Sequence, residues 1–397
     1  ARVEVRRVLV RDLDKARAGV DETLLTTEPE SVFGDEGIDI IVELVGGEQP
    51  ARSFIERALD QGKSVVTANK LLIATHGPEL LARAVTAQVD LAFEGAVGGG
   101  IPIVRTLRDA FASDRLTAVT GILNGTSNYV LSRMLDAGLS FADATAEAQQ
   151  LGYAEADPSM DVDGHDAAHK LGILAMLGFG LTPGGDPMHV EGIRAIEPVD
   201  HRFAARFGYR IKHLVVGRDH GDSVELRTHP ALVPERSVLA NVNGALNAVL
   251  LEGEALGPSL VYGQGAGGMP TAVSVLSDVL DVARSIAAGA PGLQTRGIRH
   301  TERARRAMAD VECRYYIRFR VLDRPGVMAQ IATALGQNDV SIEQMLQDRL
   351  PEVEGGPADV VMLTHRAREA AVQAALEALK GSAILVQDPR LMRIQDV

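Results

Sequence analysis

Five carboxylates stand ahead of a single lysine in the stretch Leu151–Lys170: Glu155, Asp157, Asp161, Asp163 and Asp166 precede Lys170. Acids gathered before one base suit the binding of a charged zwitterion and the movement of one proton. The plainer reading of such a run is a solvated acidic loop leading into a core helix. Gly164 ends the loop, and Asp166 lies four residues before Lys170, so on a helix the two share a face. The apolar segment Leu171 to Leu177 has helical composition and predicts that helix. Lysine is scarce, occurring only at positions 15, 63, 70, 170, 212 and 380, so each one is a candidate for more than surface charge.

Composition narrows the classes of function. A net charge of −13 at pH 7 argues against nucleic acid as a partner, because binding a phosphate backbone needs a basic face. Small anionic ligands need only a local positive site. No apolar run approaches the length of a transmembrane helix, so no membrane partner is expected. No basic segment followed by an apolar one opens the chain, which predicts no secretory leader. The single cysteine, Cys313, cannot form an internal disulfide and fits a reducing compartment. Together these features predict a soluble, cytoplasmic protein.

The elements that must position the acids and the lysine begin with alternating strands and helices. Strands are predicted at Val3–Val10, Ile38–Val45, Lys63–Ala68 and Val89–Phe93, with helices near 50–61 and 78–87 between them. Such alternation reads as parallel α/β layering, with ligands expected at the carboxyl ends of the strands. Arg11, Gly46, Gly47, Asn69, Lys70 and Glu94 all fall at such ends. A dinucleotide fold opens with a strand and G-x-G-x-x-G. This chain shows no such glycine fingerprint at its start, so the first βα unit is expected to be absent from its 397 residues. Arg11, with Lys15 nearby, leans towards a 2′-phosphate and hence NADP, although NAD would serve equally well.

Glu94-Gly-Ala-Val-Gly-Gly-Gly-Ile-Pro102 is a glycine-rich bend after a strand. One carboxylate plus several carbonyls can hold a hard cation such as sodium. Phosphate cradling and a flexible crossover between domains are the competing readings. Beyond it, helices are predicted at 103–112, 129–135 and 141–151, and strands at 116–123, 210–217 and 224–233, with Thr126, Ser127 or Asn128 as a helix cap. A second glycine cluster, Gly263 to Gly268, precedes a long helical pattern from Ala272 to Ala287, a place where backbone amides attract anions. The last eighty or so residues follow a β-α-β-β-α-β order, the ferredoxin-like plan, with its final strand expected at Ala383–Val386.

These motifs in this order resemble the homoserine dehydrogenases that carry a C-terminal ACT domain, over nearly the whole chain. The carrying residues are Thr67-Ala-Asn-Lys70, Glu94-Gly-Ala-Val-Gly-Gly-Gly, Asn124-Gly-Thr-Ser-Asn-Tyr129, Gly152-Tyr-Ala-Glu-Ala-Asp-Pro158 with Asp161, Asp166 and Lys170, Gly265-Ala-Gly-Gly, and Asp323-Arg-Pro-Gly326. Ala156 stands where many relatives have proline. The resemblance implies NAD(P)-dependent interconversion of L-homoserine and L-aspartate 4-semialdehyde in threonine and methionine biosynthesis. It implies Lys170 as proton donor or acceptor, Asp166 as the group that orients Lys170 or the substrate, Glu155 and Asp161 on the substrate ammonium, and Lys70 beside the nicotinamide and the reacting carbon. Arg11, Gly46, Gly47, Thr67, Lys70 and Gly267 would touch the dinucleotide. Glu94 with the carbonyls of Val97, Gly99 and Ile101 would hold sodium. An amino-acid effector such as threonine would sit at Asp323, Gly326 and Val327, and a homodimer or homotetramer is expected.

The fold class expected is therefore α/β. It combines a Rossmann-like parallel sheet incomplete at its N-terminus, an α+β catalytic and oligomerisation domain, and a C-terminal ferredoxin-like ACT domain. The boundaries expected are 1–100 for the dinucleotide-binding domain, with 265–290 returning to it, 101–264 for the catalytic domain, 291–313 for a linker and 314–397 for the ACT domain.

Rival chemistries meet specific obstacles. His165 and His169 have the spacing of zinc metallohydrolases, but Asp166 replaces the glutamate base and Lys170 would repel the metal. A calcium loop from Ser159 would place Lys170 where its last carboxylate belongs. A non-catalytic amino-acid sensor on a degenerate dehydrogenase scaffold competes with the enzyme, as does an oxidoreductase for a different amino-acid aldehyde.

Overall fold

The computed structural model describes residues 2–182, 188–295, 301–349 and 357–397. The chain opens with β1 (Val8–Leu9), β2 (Leu25–Thr26), α1 (Glu30–Phe33), β3 (Ile40–Glu43), α2 (Ala51–Asp60), β4 (Ser64–Thr67), α3 (Lys70–Ala87) and β5 (Leu91–Ala92). It continues through α4 (Ile103–Arg105), β6 (Leu116–Ile122), α5 (Gly125–Ala137), α6 (Phe141–Gln150), α7 (Ser159–Val162), α8 (His165–Gly178), β7 (His189–Val190) and α9 (Pro198–Arg206). Next come β8 (Tyr209–Asp219), β9 (Ser223–Pro234), β10 (Leu246–Gly253), β11 (Gly257–Gln264), α10 (Gly268–Ala287) and β12 (Ala304–Arg305). The last part holds β13 (Glu312–Leu322), α11 (Val327–Gln337), β14 (Ile342–Arg349), β15 (Pro357–Thr364), β16 (Ala367–Arg368), α12 (Glu369–Leu379) and β17 (Arg390–Ile394). Two compact units result: 1–113 with 172–184 and 264–302, and 114–171 with 185–263 and 303–397.

In the first unit, β3, β4 and β5 pair in parallel, with Ile41 beside Val65 and Val65 beside Leu91. Parallel strands need covered faces, and α10 supplies one cover: Val275, Val279 and Val282 pack against Val66 and Ala92. The segment 264–302 thus belongs to the same unit as the parallel sheet. Helix α3 begins eight residues before the predicted start and carries Pro78 in its interior. Asn69 caps it by accepting from the Leu72 amide, and Leu72, Ile73, Gly77, Leu80, Leu81 and Ala84 bury one continuous face. Tertiary burial therefore overrides the proline's cost. The strand expected at Val3–Val10 is reduced to Val8–Leu9, paired in parallel with Leu25–Thr26, and Val3 and Val5 stay exposed.

In the second unit a single sheet among the described residues runs β11-β10-β6-β8-β9-β17-β13-β15-β14. Its last four strands are the ferredoxin-like order, so the ACT sheet extends the catalytic sheet through the parallel pair β17–β9, where Arg393 faces Ala231 and Ile394 faces Leu232. The final strand is Arg390–Ile394 instead of Ala383–Val386, of which only Leu385 bridges, to Val321. The reason is burial: Leu391, Met392 and Ile394 all enter cores, whereas in the expected stretch Ile384 does so and Val386 is exposed. One face of the ACT sheet covers its own helices. The other, through Tyr316, Val361, Leu363, Met392 and Ile394, shares a core with α5, α6 and α9. Of the stretch expected as a linker, 296–300 lies outside the described residues, and Ala304–Arg305 pairs with Ser223–Val224.

His201 on α9 is 4% exposed, and neither of its ring nitrogens has a hydrogen-bond partner among the described residues. Burial, aided by the positive charge of Lys212, lowers its pKa from 6.5 to about 4. The unfolded chain takes up this proton near its ordinary pKa and the folded molecule resists. Stability present above that pH is therefore lost as pH falls towards about 4. The window is worth on the order of 3 kcal/mol. His201→Leu is expected to flatten the acid slope of the urea midpoint over that range; an unchanged slope would exclude His201 as a source of acid sensitivity.

Candidate active site

Strand β6 delivers Leu123 and Asn124 to the base of the acidic loop. The cap of α5 is Asn124, not Thr126, Ser127 or Asn128: its Oδ1 accepts from the Ser127 amide at 2.8 Å. Its Nδ2 donates to Asp161 at 2.7 Å and to Asp166 at 2.9 Å. Asn124 thereby joins two of the predicted acids, a role that residue types alone did not single out. The signal available was an asparagine directly after a strand and three residues before a serine amide, the geometry of an N-cap.

Helix α8 places Asp166 and Lys170 one turn apart. Lys170 Nζ donates to Asp166 Oδ2 at 2.7 Å and to the Leu123 carbonyl at 2.8 Å, and both side chains are buried. An ammonium held by one carboxylate and one carbonyl has a defined direction and one donor still to place. Asp161 stands at the same asparagine, whereas Glu155 is exposed and its carbonyl is held by Gln149. Asp157 is spent on a turn with Ser159, and Asp163 pairs with Arg194. Of the five acids, then, Asp161 and Asp166 lie with Lys170.

A second loop clamps this one from below. The Ile193 amide donates to the Val162 carbonyl at 2.8 Å. A Cβ on Gly192 would stand 2.4 Å from that carbonyl oxygen, so only glycine fits. At Gly164, φ is +90° and a Cβ would lie 3.1 Å from His213 Nε2. The acidic loop is thus held by backbone contact on one side and by Asn124 on the other.

In the first unit, the ends of β3 and β4 are tied by Glu43. Its carboxylate accepts from the amides of Val45 and Gly46 at 2.7 and 3.0 Å and from the Thr67 hydroxyl at 2.6 Å. Asn69 Nδ2 donates to the Gly47 carbonyl at 2.7 Å. Gly46 and Gly47 have φ of +75° and +70°, with open space where a Cβ would project. Leu44 and Val45 are exposed beside them. An open glycine pair flanked by apolar side chains at the carboxyl ends of parallel strands fits a flat ring and a dinucleotide. Lys70 begins α3 half-buried, Arg11 is exposed, and Thr67 is buried with its hydroxyl turned inward. Gly267 caps α10 at φ +122°.

Glu94 is 3% exposed, and its two oxygens accept from the Val104 and Arg105 amides at 2.9 and 2.8 Å. Burial, with the neighbouring Asp278 carboxylate adding to it, pushes its pKa up to about 7 against the pull of the hydrogen bonds and Arg105. Val97, Gly99 and Ile101 are buried in the bend that follows, where Gly98 and Gly99 have positive φ. Gly99 packs on the second glycine cluster: a Cβ would come 2.6 Å from the Gly265 carbonyl, and the Gly100 amide donates to Gln264 at 3.0 Å. The bend is therefore tightly packed. A flexible crossover does not describe it.

At the ACT turn, Gly326 caps α11 at φ +89°, Val327 is buried and Gln347 donates to Asp323 at 3.3 Å. No cluster of three or more His, Cys, Asp or Glu suited to a metal ion occurs among the described residues. No described helix is long and apolar enough to cross a membrane.

Residues 1–94 match the NAD-binding domain model of homoserine dehydrogenase, residues 102–280 the homoserine dehydrogenase model, and residues 315–381 the ACT domain model. A homoserine dehydrogenase of Pseudomonas aeruginosa is 42% identical over 386 residues, covering 96% of this chain and 88% of that protein. The crystal structure of a homoserine dehydrogenase from Thiobacillus denitrificans superposes with a TM-score of 0.91 at 42% identity, over 98% of this chain and 90% of that one. A hyperthermophilic archaeal homoserine dehydrogenase solved in complex with NADPH gives a TM-score of 0.56 at 27% identity, over 65% of this chain and 75% of that one. With a Rossmann-like parallel sheet, the acid–lysine site and a C-terminal ACT domain in the expected order, the chain belongs to the homoserine dehydrogenase family of NAD(P)-dependent oxidoreductases.

Proposed function

We propose that this chain interconverts L-homoserine and L-aspartate 4-semialdehyde through Lys170, in threonine and methionine biosynthesis. The observation that carries the reading is the Lys170 ammonium directed by Asp166 and the Leu123 carbonyl. Bound NAD(P) supplies the hydride acceptor or donor. Carbonyl reduction leaves developing negative charge on oxygen, which needs a proton and a nearby cation. Lys170 supplies both, releasing its proton to that oxygen in one direction and taking it back in the other. Asp166 holds the ammonium on course, and Asp161 and Glu155 bind the substrate ammonium. Lys70 serves the nicotinamide and the reacting carbon, with Arg11, Gly46, Gly47, Thr67 and Gly267 on the dinucleotide. NADP is favoured through Arg11, with NAD as the alternative.

The buried Glu94 carboxylate and the carbonyls of Val97, Gly99 and Ile101 form the proposed sodium site. Homoserine-dependent reduction of NADP and NAD tests the main reading, with sodium chloride replaced by choline chloride in a parallel series. Activity with homoserine and a rise on adding sodium are expected. A folded protein inert towards homoserine with both cofactors would leave the amino-acid sensor as the better account.

The ACT turn at Asp323, Gly326 and Val327 is proposed to bind an inhibitory amino acid such as threonine. Asp323→Ala is expected to raise the threonine concentration for half-inhibition at least about tenfold, the scale of a lost charged hydrogen bond, without changing uninhibited turnover. Inhibition unchanged in that variant would move the effector elsewhere. The proposed domain limits are 1–100, 101–264 and 314–397, with a homodimer or homotetramer in the cytoplasm.

A further inference from the structure

Away from the acidic loop, a cavity of about 320 Å³ opens where the catalytic strands meet the ACT strands within the second unit. Its catalytic wall carries Arg218, Glu225 and Arg227 on β8 and β9, and its ACT wall carries Arg314 on β13. Arg306 and Arg366 complete the basic lining, and with Glu225 the side chains of Glu312 and Asp396 add carboxylates, so five arginines face three acids. The floor is rigidly built. Arg227, 3% exposed, donates to Glu225 at 2.7 Å and to Gln395 at 3.2 Å, and meets His229 at 2.8 Å. Arg314 is neutralised by Glu343 and anchored on the Tyr209 hydroxyl at 2.8 Å.

The remaining three guanidiniums differ. Arg218, Arg306 and Arg366 form no ion pair among the described residues, although carboxylates are plentiful in this acidic chain. Among the described residues, Arg306 and Arg366 donate only to the backbone carbonyls of Asp310 and Glu312, at 3.0 and 3.1 Å. The Nε atoms of Arg218 and Arg306 are buried without a hydrogen-bond partner among the described residues. Holding like charges around one small space costs Coulomb energy, and a buried orphan N–H costs about 1–3 kcal/mol more. A multivalent oxyanion removes both costs at once, because the guanidinium fork matches carboxylate and phosphate geometry.

We propose that this seam cavity binds one small polyanion, a polycarboxylate or a phosphate compound. Both share the oxyanion chemistry that three unpaired arginines recognise. Such a ligand links strands on both sides of the β17–β9 junction, so it stabilises the joint between the catalytic and ACT parts. The proposal does not depend on the roles given to Lys170 or the effector turn.

Titration calorimetry of the full chain with citrate, and separately with inorganic phosphate, tests it at ionic strength held constant with sodium chloride. The expected result is saturable binding of one anion per chain, weakened at least tenfold in Arg218→Ala and Arg306→Ala. Catalytic turnover should stay unchanged in both variants. Arg366→Gln, at an exposed position, should weaken binding too and guards against a folding defect in the others. Binding of citrate alone supports a polycarboxylate, and binding of phosphate alone supports a phosphate compound. Non-saturable heats, or affinities equal in wild type and all three variants, would overturn the site.

Discussion

Lys170→Ala is expected to lose turnover by at least about a hundredfold, the scale of a lost general acid. Michaelis constants should move far less, because the substrate ammonium is assigned to Asp161 and Glu155. Lys170→Arg separates charge from proton transfer: arginine keeps the positive field but stays protonated in proteins, so it should restore little turnover. The Lys170–Asp166 pair is buried, and losing the ammonium takes the positive charge from a buried carboxylate that Asn124 still holds. Circular dichroism and urea unfolding should therefore accompany the kinetics, with Lys170→Met as a bulkier replacement. Wild-type turnover in a folded Lys170 variant would end the proton-transfer assignment.

Arg318→Met carries the largest expected cost in stability, about 3–5 kcal/mol, as for one partner removed from a buried ion pair. Arg318 on β13 is wholly buried and donates to Asp200 on α9 at 2.7 Å and to Glu197 at 2.9 Å, while the Tyr316 hydroxyl donates to Asp200 at 2.9 Å. Methionine fills much of the volume but leaves Asp200 facing Asp359 without the guanidinium between them. The urea midpoint reports the change, and a loss below about 1 kcal/mol would show the cluster to be solvated instead of sealed. For the same reason, ending the chain before Arg314 is expected to unfold the second unit as a whole. That truncation would strip β17 from β9 and remove Tyr316, Val361, Leu363, Met392 and Ile394 from the core shared with α5, α6 and α9.

Much of the architecture was legible in the residues. Alternation of strand and helix marked the parallel sheet, and the β-α-β-β-α-β order marked the ACT fold. Spacing placed Asp166 and Lys170 on one helix face, where the structure has them 2.7 Å apart. Less legible was Asn124, whose value lies in reaching Asp161 and Asp166, 37 and 42 positions away. Nor could local pattern find the start of α3, since Pro78 argues against a helix until burial of Leu72 and Ile73 is known. Strands β10 and β11 leave little trace in the residues. Positions 246–264 are rich in glycine and carry little alternation, and β10 is held in register by antiparallel pairing with β6 across the sheet.

What the amino-acid order determined by itself was local: periodicity, caps, the succession of glycine bends, and a lysine one helical turn from an aspartate. Those follow from interactions within a few residues, which the local order of the chain fixes whatever the rest of the fold does. Only the tertiary structure decided which acids serve the lysine, since Asp163 is drawn to Arg194 and Asp157 to Ser159 while Asp161 and Asp166 meet at Asn124. It also decided that the ACT strands continue the catalytic sheet, burying Arg318 and Arg393 at the join. Both outcomes depend on groups far apart in the chain competing for the same partners, and that competition is settled only when the whole core is closed.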